Sequence, residues 1–268
     1  MKKILLPTDF SINSENAIAY ATQLFKKEPC RFYLLHAYRN IPSAPTNKKS
    51  AEQEVEALAR RCAANSDHKH HRFEGLVLTD SVVSAIDATF MDKGIDYVVM
   101  GTQGSTALKE VLLGSNTANA IKHLARCPLI VVPTGLTFKT PKAMAFATDY
   151  KHRFMEAEMR PLLQLALLWK ATVQVVHVEA EPELAPEQLA NRSLLERTLG
   201  NVAHALRTVP KKDSLANTLL SLEQSEGHPD MVAMLRTQHG FFGSMFREPV
   251  LKKMAFKTQI PLLVMPLF

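Results

Sequence analysis

Cysteine is scarce. Cys30, Cys62 and Cys127 are the only three, an odd number with no C-x-x-C pair, which argues against a disulfide framework and fits a reducing compartment. Long hydrophobic runs are missing as well, since no stretch approaches the roughly 18 apolar residues of a membrane span. The opening "MKKILLPTDF" sets two lysines before an apolar run. That run, Ile4-Leu5-Leu6, stops at Pro7 and Asp9, too soon for the core of a signal peptide. The expectation is a cytoplasmic protein with no membrane partner. Dense basic blocks are absent too. The net charge of +6 and pI near 9.2 come from scattered residues and single pairs such as Lys2-Lys3, Lys211-Lys212 and Lys252-Lys253. Such a balance permits nucleic-acid binding without pointing to it, so no nucleic-acid partner is expected.

What is present is ordinary globular composition, 46% hydrophobic and 22% charged over 268 residues, enough for two domains of about 130 residues each. Short apolar runs alternate with longer amphipathic ones, the pattern of βαβ units and a parallel sheet. Strands are expected at "KKILLP", "RFYLLHAY", "RFEGLVL", "DYVVM" and "PLIVVP". Helices are expected at "SENAIAYATQLFKK", "KKSAEQEVEALARRCAA", "SVVSAIDATFMDK" and "NTANAIKHLA".

The second half repeats the first. "AMAFATDY" echoes "ILLPTDF", setting Thr148-Asp149 against Thr8-Asp9; "VQVVHVE" echoes "FYLLHAY", setting His177 against His36. Asp213-Ser214 answers Asp80-Ser81, "PDMVAML" answers "IDYVVMG", and "IPLLVMP" answers "CPLIVVP". The offsets drift only from 133 (Asp80 to Asp213) to 141 (His36 to His177). Landmarks in one order at nearly one offset mean a tandem duplication, with the join in the Gly-, Thr- and Pro-rich stretch 134–143. The domains expected are 1–137 and 138–268.

Three of the ten glycines fall between 101 and 114. In an open α/β sheet ligands bind beyond the carboxyl ends of the strands, where strand order reverses. Thr8-Asp9 follows the first strand and Gly101 and Gly104 follow the fourth, so neighbouring strands would face these loops across one crevice. Glycine lets backbone N–H groups approach phosphate oxygens. Ser115, Asn116 and Thr117 then open a helix whose free amides favour an anion. The stretch has the parts of a phosphate cradle. It is neither a P-loop, for Lys109 has no glycine before it, nor a G-x-G-x-x-G fingerprint.

The spacing G-x2-G-x9-G-[ST], here Gly101, Gly104, Gly114 and Ser115, resembles the ATP-binding motif of the universal stress protein family. The flanking "STALKEVLLGSNT" and the opening "KILLPTDFS" resemble that family too, and the likeness covers the whole chain as two domains in tandem. The resemblance implies an α/β fold of two tandem five-stranded parallel sheets of order 3-2-1-4-5, flanked by helices. It also implies ATP as the ligand, with or without Mg. Asp9 would meet the adenosine, with Pro7 and Thr8 beside it, and Ala37 would offer backbone to the adenine. Met100, Gly101, Gln103 and Gly104 would pass under the ribose and phosphates. Gly114, Ser115, Asn116 and Thr117 would hold the phosphate tail. Family members pair through the fifth strand, which implies an intramolecular pseudo-dimer of the two domains and leaves a further homodimer open.

The second domain keeps Thr148-Asp149 but not the glycines. Counted back from Pro261 as the partner of Pro128, the Gly101 position falls near Leu235 and the Gly114-Ser115 position near Arg247-Glu248. "RTQHGFFGSMFREP" holds Gly240 and Gly243, but Phe241, Phe242 and Phe246 would fill an open loop, and Glu248 would repel phosphate. One nucleotide site per chain is expected. Other polar residues have plainer readings. Asp9 could simply cap the helix starting near Ser11, a reading that its recurrence as Asp149 favours. His36 and His177 read as structural, His68-Lys69-His70-His71 as a solvated loop without matching metal ligands, and Cys127 as a packing residue.

Phosphoryl transfer needs a positioned base and charge-neutralising cations. Within the motif only Lys109 is basic, and the G-x-S-x-G and H-x-G-H signatures are missing. The expectation is a nucleotide-dependent regulator of a stress response, with no catalytic residue and at most weak ATP hydrolysis. The alternatives are a slow ATPase or phosphotransferase and a nucleotide-free interaction scaffold.

Overall fold

Ile4, Leu5 and Leu6 have no solvent-exposed surface. They form the middle of β1 (Lys2–Pro7), and such a continuous apolar run marks a parallel strand covered on both faces. The computed structural model describes residues 1–38, 47–102, 114–124, 126–179, 183–211, 213–236 and 250–267. The chain divides into two compact units, Met1–Phe138 and Lys139–Phe268.

In the first unit β1 is joined by β2 (Cys30–Tyr38), β3 (Arg72–Thr79), β4 (Tyr97–Gly101) and β5 (Leu129–Val132). All pairings are parallel and the order is β3-β2-β1-β4-β5. Right-handed crossovers therefore place α1 (Ile12–Leu24) and α2 (Lys48–Ala64) on one face, and α3 (Val82–Lys93) and α4 (Ser115–His123) on the other. The packing agrees: α1 lies on β1 and β4, α2 on β2 and β3, and α3 beside α4.

Local chemistry starts and stops these helices. The Ser11 hydroxyl accepts the Ser14 amide to cap α1, so the helix begins at Ile12, two residues before the sequence pattern placed it. Asn47 and Ser50 form a reciprocal capping box for α2. α3 ends at Gly94, whose φ of 63° is the left-handed turn that glycine makes at little cost.

The second unit repeats the winding. β6 (Ala143–Thr148), β7 (Thr172–Glu179), β8 (His204–Pro210), β9 (Met231–Leu235) and β10 (Leu262–Met265) lie in the order β8-β7-β6-β9-β10. Its helices are α5 (Glu156–Trp169), α6 (Pro186–Leu199), α7 (Leu215–Ser221) and α8 (Val250–Lys257). The expected fold, two tandem parallel sheets of order 3-2-1-4-5 flanked by helices, is the fold observed. Among the described residues no helix is long and apolar enough to cross a membrane.

Candidate functional site

Strand order in the first unit reverses between β1 and β4, and a cavity of about 130 Å³ opens beyond their carboxyl ends. Pro7, Thr8 and Asp9 line it from the end of β1, Ala37 from β2, and Met100 and Gly101 from β4. Gly114, Ser115, Asn116 and Thr117 line it from the start of α4. Ten of the twelve residues singled out from the sequence thus share one cavity. The other two, Gln103 and Gly104, lie outside the described residues, as does Lys109.

The sequence reading missed three lining residues: Ser14, Leu35 and Val82. Helix geometry could have found Ser14, one turn past the Thr8-Asp9 loop. Val82 opens α3, and in this fold every helix begins at the rim where the strands end. Leu35 precedes Ala37 by two residues in β2, so both present the same face.

Hydroxyl groups hold the loop after β1. The Phe10 amide donates to Thr8 Oγ1 at 3.0 Å, the Ser14 hydroxyl donates to the Ser11 carbonyl at 2.9 Å, and the Ser11 hydroxyl donates to Asp9 Oδ1 at 2.6 Å. The Ser11 amide also reaches Oδ1, at 3.2 Å. Thr8 Oγ1 and Ser14 Oγ lie 3.0 Å apart. Ser14 has one hydroxyl proton and spends it on Ser11, so Thr8 is the donor in that pair. Phe10 takes φ of 61°, unusual for a bulky side chain. Its ring packs 4.7 Å from His36, whose Nδ1 lies 3.0 Å from the Thr8 carbonyl oxygen. His36 is therefore a brace for the loop, the structural role expected of it. Asp9 does not cap α1 directly; Ser11 does, and Asp9 holds Ser11.

The opposite wall is the start of α4. The Gly114 amide donates to the Thr102 carbonyl at 2.8 Å, and the Thr117 hydroxyl donates to the Gly101 carbonyl at 2.8 Å. These two bonds pin the helix to the end of β4. Gly114 is the N-cap and has no side chain to cap with. The first-turn amides of Ser115, Asn116 and Thr117, which a helix cannot satisfy internally, therefore belong to residues lining the cavity, with no side-chain cap from the N-cap residue over them. That end carries the positive pole of the helix dipole.

The second unit reproduces the loop and closes it. Thr148 Oγ1 accepts the Tyr150 amide at 2.9 Å, Tyr150 has φ of 57°, and its ring stacks 5.1 Å from His177. His177 Nδ1 lies 3.2 Å from the Thr148 carbonyl oxygen, so this histidine is a brace too. But the Asp149 and Tyr150 carbonyls accept from Gln188 (2.7 Å) and Asn191 (2.9 Å), two buried amides of α6. Asp149 itself is buried, and burial pushes its carboxyl above the usual range. Counted from the shared Thr-Asp pair, Ser14 becomes Phe154, 3% exposed and edge-on to Phe146 at 5.7 Å.

The fourth strand of that unit differs as well. Gly101 pairs with Val132, and at the matching register Leu235, fully buried, pairs with Met265. Thr117 becomes Val250, with no hydroxyl to pin its helix. Gly240, Phe241, Phe242, Gly243, Phe246, Arg247 and Glu248 lie outside the described residues.

Two smaller readings are settled away from the site. His70 is exposed, but His71 is buried: Ser66 Oγ lies 2.9 Å from its Nδ1 and the Phe25 carbonyl oxygen 3.4 Å from its Nε2. The run is thus not wholly a solvated loop, because β3 begins at the next residue and draws His71 into the core. Cys127 is a packing residue, 2% exposed, its thiol pushed far up by burial.

Comparison with known proteins identifies a family. The model described as "Universal stress protein family" matches residues 1–133. A universal stress protein of Methanocaldococcus jannaschii is 32% identical over 154 residues, covering 49% of this chain and 94% of that protein. One from Thermus aquaticus is 27% identical over 135 residues, covering 49% and 98%. The crystal structure of a universal stress protein from Archaeoglobus fulgidus shares the fold across both units. Its TM-score is 0.74 at 16% identity, with 98% of each chain covered.

Proposed function

The chain belongs to the universal stress protein family, and on that premise we propose that its first unit binds an adenine nucleotide, ATP with or without Mg, in the cavity between β1 and α4. One observation carries the reading: the α4 amino terminus, capped by a glycine and lined by Ser115, Asn116 and Thr117, shares its cavity with Asp9. A helix terminus of this kind accepts phosphate, and a carboxylate accepts from a ribose hydroxyl or an exocyclic amine. The two ends of the cavity thus suit the two ends of a nucleotide. Mg would ride on the phosphates, because no group of three metal-ligating His, Cys, Asp or Glu side chains stands together among the described residues.

The role is regulatory. Occupancy would favour one conformation or partner over another, as a ligand with differential affinity must. The second unit is a degenerate copy: Leu235 and Phe154 stand at the positions of Gly101 and Ser14, and the α6 amides take the carbonyls of its loop. A Gly114→Glu variant tests the site. Gly114 has φ of −56° and ψ of 138°, a backbone that any residue can adopt, and the variant sets a carboxylate among the phosphates. Retention of labelled Mg-ATP falls by more than about tenfold; unchanged retention contradicts the assignment.

A further inference from the structure

The duplicated loop is an internal control. Both copies keep the Thr-Asp pair, the left-handed aromatic after it and the histidine brace. They part company at the next position. In the first unit Ser11 gives Asp9 Oδ1 both its hydroxyl proton and its amide proton. In the second unit that place is Lys151, which gives Asp149 Oδ1 an amide at 2.9 Å and has no hydroxyl to add. The helix start moves with it: α1 is capped by Ser11 itself, whereas α5 waits until Met155. Asp9, held by Ser11, lines a cavity, whereas Asp149, without a serine, is buried and its backbone carbonyl is taken by Gln188 of α6.

We propose that Ser11 is a positioning residue for nucleotide recognition: it locks the Asp9 carboxylate in the orientation that faces the ligand, while the ligand itself meets Asp9. The proposal rests on the nucleotide-binding reading above. Two hydrogen bonds onto one oxygen fix the plane of a carboxylate. Ser11 is fixed in turn, because its hydroxyl accepts the Ser14 amide at 3.2 Å and its carbonyl accepts the Ser14 hydroxyl. Ser14 is buried and its hydroxyl accepts from Thr8. Every hydroxyl proton in the chain Thr8, Ser14, Ser11 thus has one destination, and the last is Asp9. A side chain ordered before binding does not have to be ordered by it, which raises affinity.

The test is a cycle of variants against ligands, read as dissociation constants. The variants are Ser11→Ala, Ser11→Thr and Asp9→Asn. The ligands are Mg-ATP, its 2′-deoxy and 3′-deoxy analogues, and purine riboside triphosphate, which lacks the 6-amino group. Asp9→Asn identifies which analogue has lost the group that Asp9 contacts, since the variant is silent towards that one. Ser11→Ala weakens Mg-ATP binding about tenfold, the scale of one charge-assisted hydrogen bond. It is silent towards the same analogue, and Ser11→Thr restores affinity.

A capping role alone would lower affinity for every ligand alike, so an equal loss across all of them overturns the proposal. So does Ser11→Ala binding Mg-ATP as the unaltered protein does, or Asp9→Asn proving silent towards every ligand. Unaltered protein that binds none of the four refutes the nucleotide reading itself, a result distinct from the others.

Discussion

Burial disfavours the charged form of His71. Phe32 lies edge-on at 4.9 Å, the His68 ring stacks at 4.6 Å, and burial pushes the imidazole below its usual value of 6.5. Between the depressed folded value and 6.5 the unfolded chain binds more protons than the folded one. Stability therefore rises with pH through that window and is lost as pH falls. Urea midpoints measured from pH 8 down to pH 5 should drop, and His71→Gln should flatten the drop; an unchanged slope would place its cause elsewhere. Residue composition hid this histidine, because a run of three histidines and a lysine looks hydrophilic. The information lay one residue on, where Arg72 starts an edge strand and fixes which neighbour points inward. Asp9 was half legible in the same way. Its place beside a helix start could be read, but not that Ser11 stands between it and the helix.

Elements were more legible than residues, since apolar period and capping residues act locally. The α2 boundaries, Lys48–Ala64, are those expected from "KKSAEQEVEALARRCAA". What the pattern does not carry is how close two elements come. A Cβ built on Gly75 in β3 would stand 2.9 Å from Val55 Cγ1 and 3.3 Å from the Glu56 amide nitrogen of α2. Gly75→Ala should therefore lower stability by about 1–3 kcal/mol, through a forced shift of the helix off the strand. A chemical denaturation midpoint equal to that of the unaltered protein would contradict that contact.

The attachment of α4 is a second case. Thr117 is 3% exposed and its hydroxyl bonds to the end of β4, whereas the second unit sets Val250 there. Thr117→Val should cost about 1–2 kcal/mol through an unpaired carbonyl. It should also weaken nucleotide binding by loosening the helix start. Full affinity in this variant would show that the pin does not serve the site.

For the whole molecule the duplication was the strongest message in the sequence, because the landmarks that recur are those that build strands and loops. How the second copy closes was less legible. Leu235 could be placed by counting, but Gln188, Asn191 and Phe154 close the loop through contacts that no spacing announces. The link leaving the first unit is likewise tied down by contacts between distant residues. Asn16 Nδ2 donates to the Leu136 carbonyl at 3.0 Å, Tyr20 packs edge-on to Phe138 at 5.6 Å, and the Lys26 ammonium sits 5.4 Å from the same ring. Replacing Phe138 by alanine should free this stretch and speed tryptic cleavage after the exposed Lys139 and Lys142. An unchanged rate would mean that the aromatic contacts do not hold it.

By this reading each chain holds one nucleotide, in the first unit. Calorimetric titration of the nucleotide-stripped protein with Mg-ATP, alongside Gly114→Glu, counts the sites. One equivalent bound per chain, lost in the variant, is the predicted result. Two equivalents would contradict it by placing a working site in the second unit, and one that survives Gly114→Glu would contradict the placement of the phosphates at the start of α4.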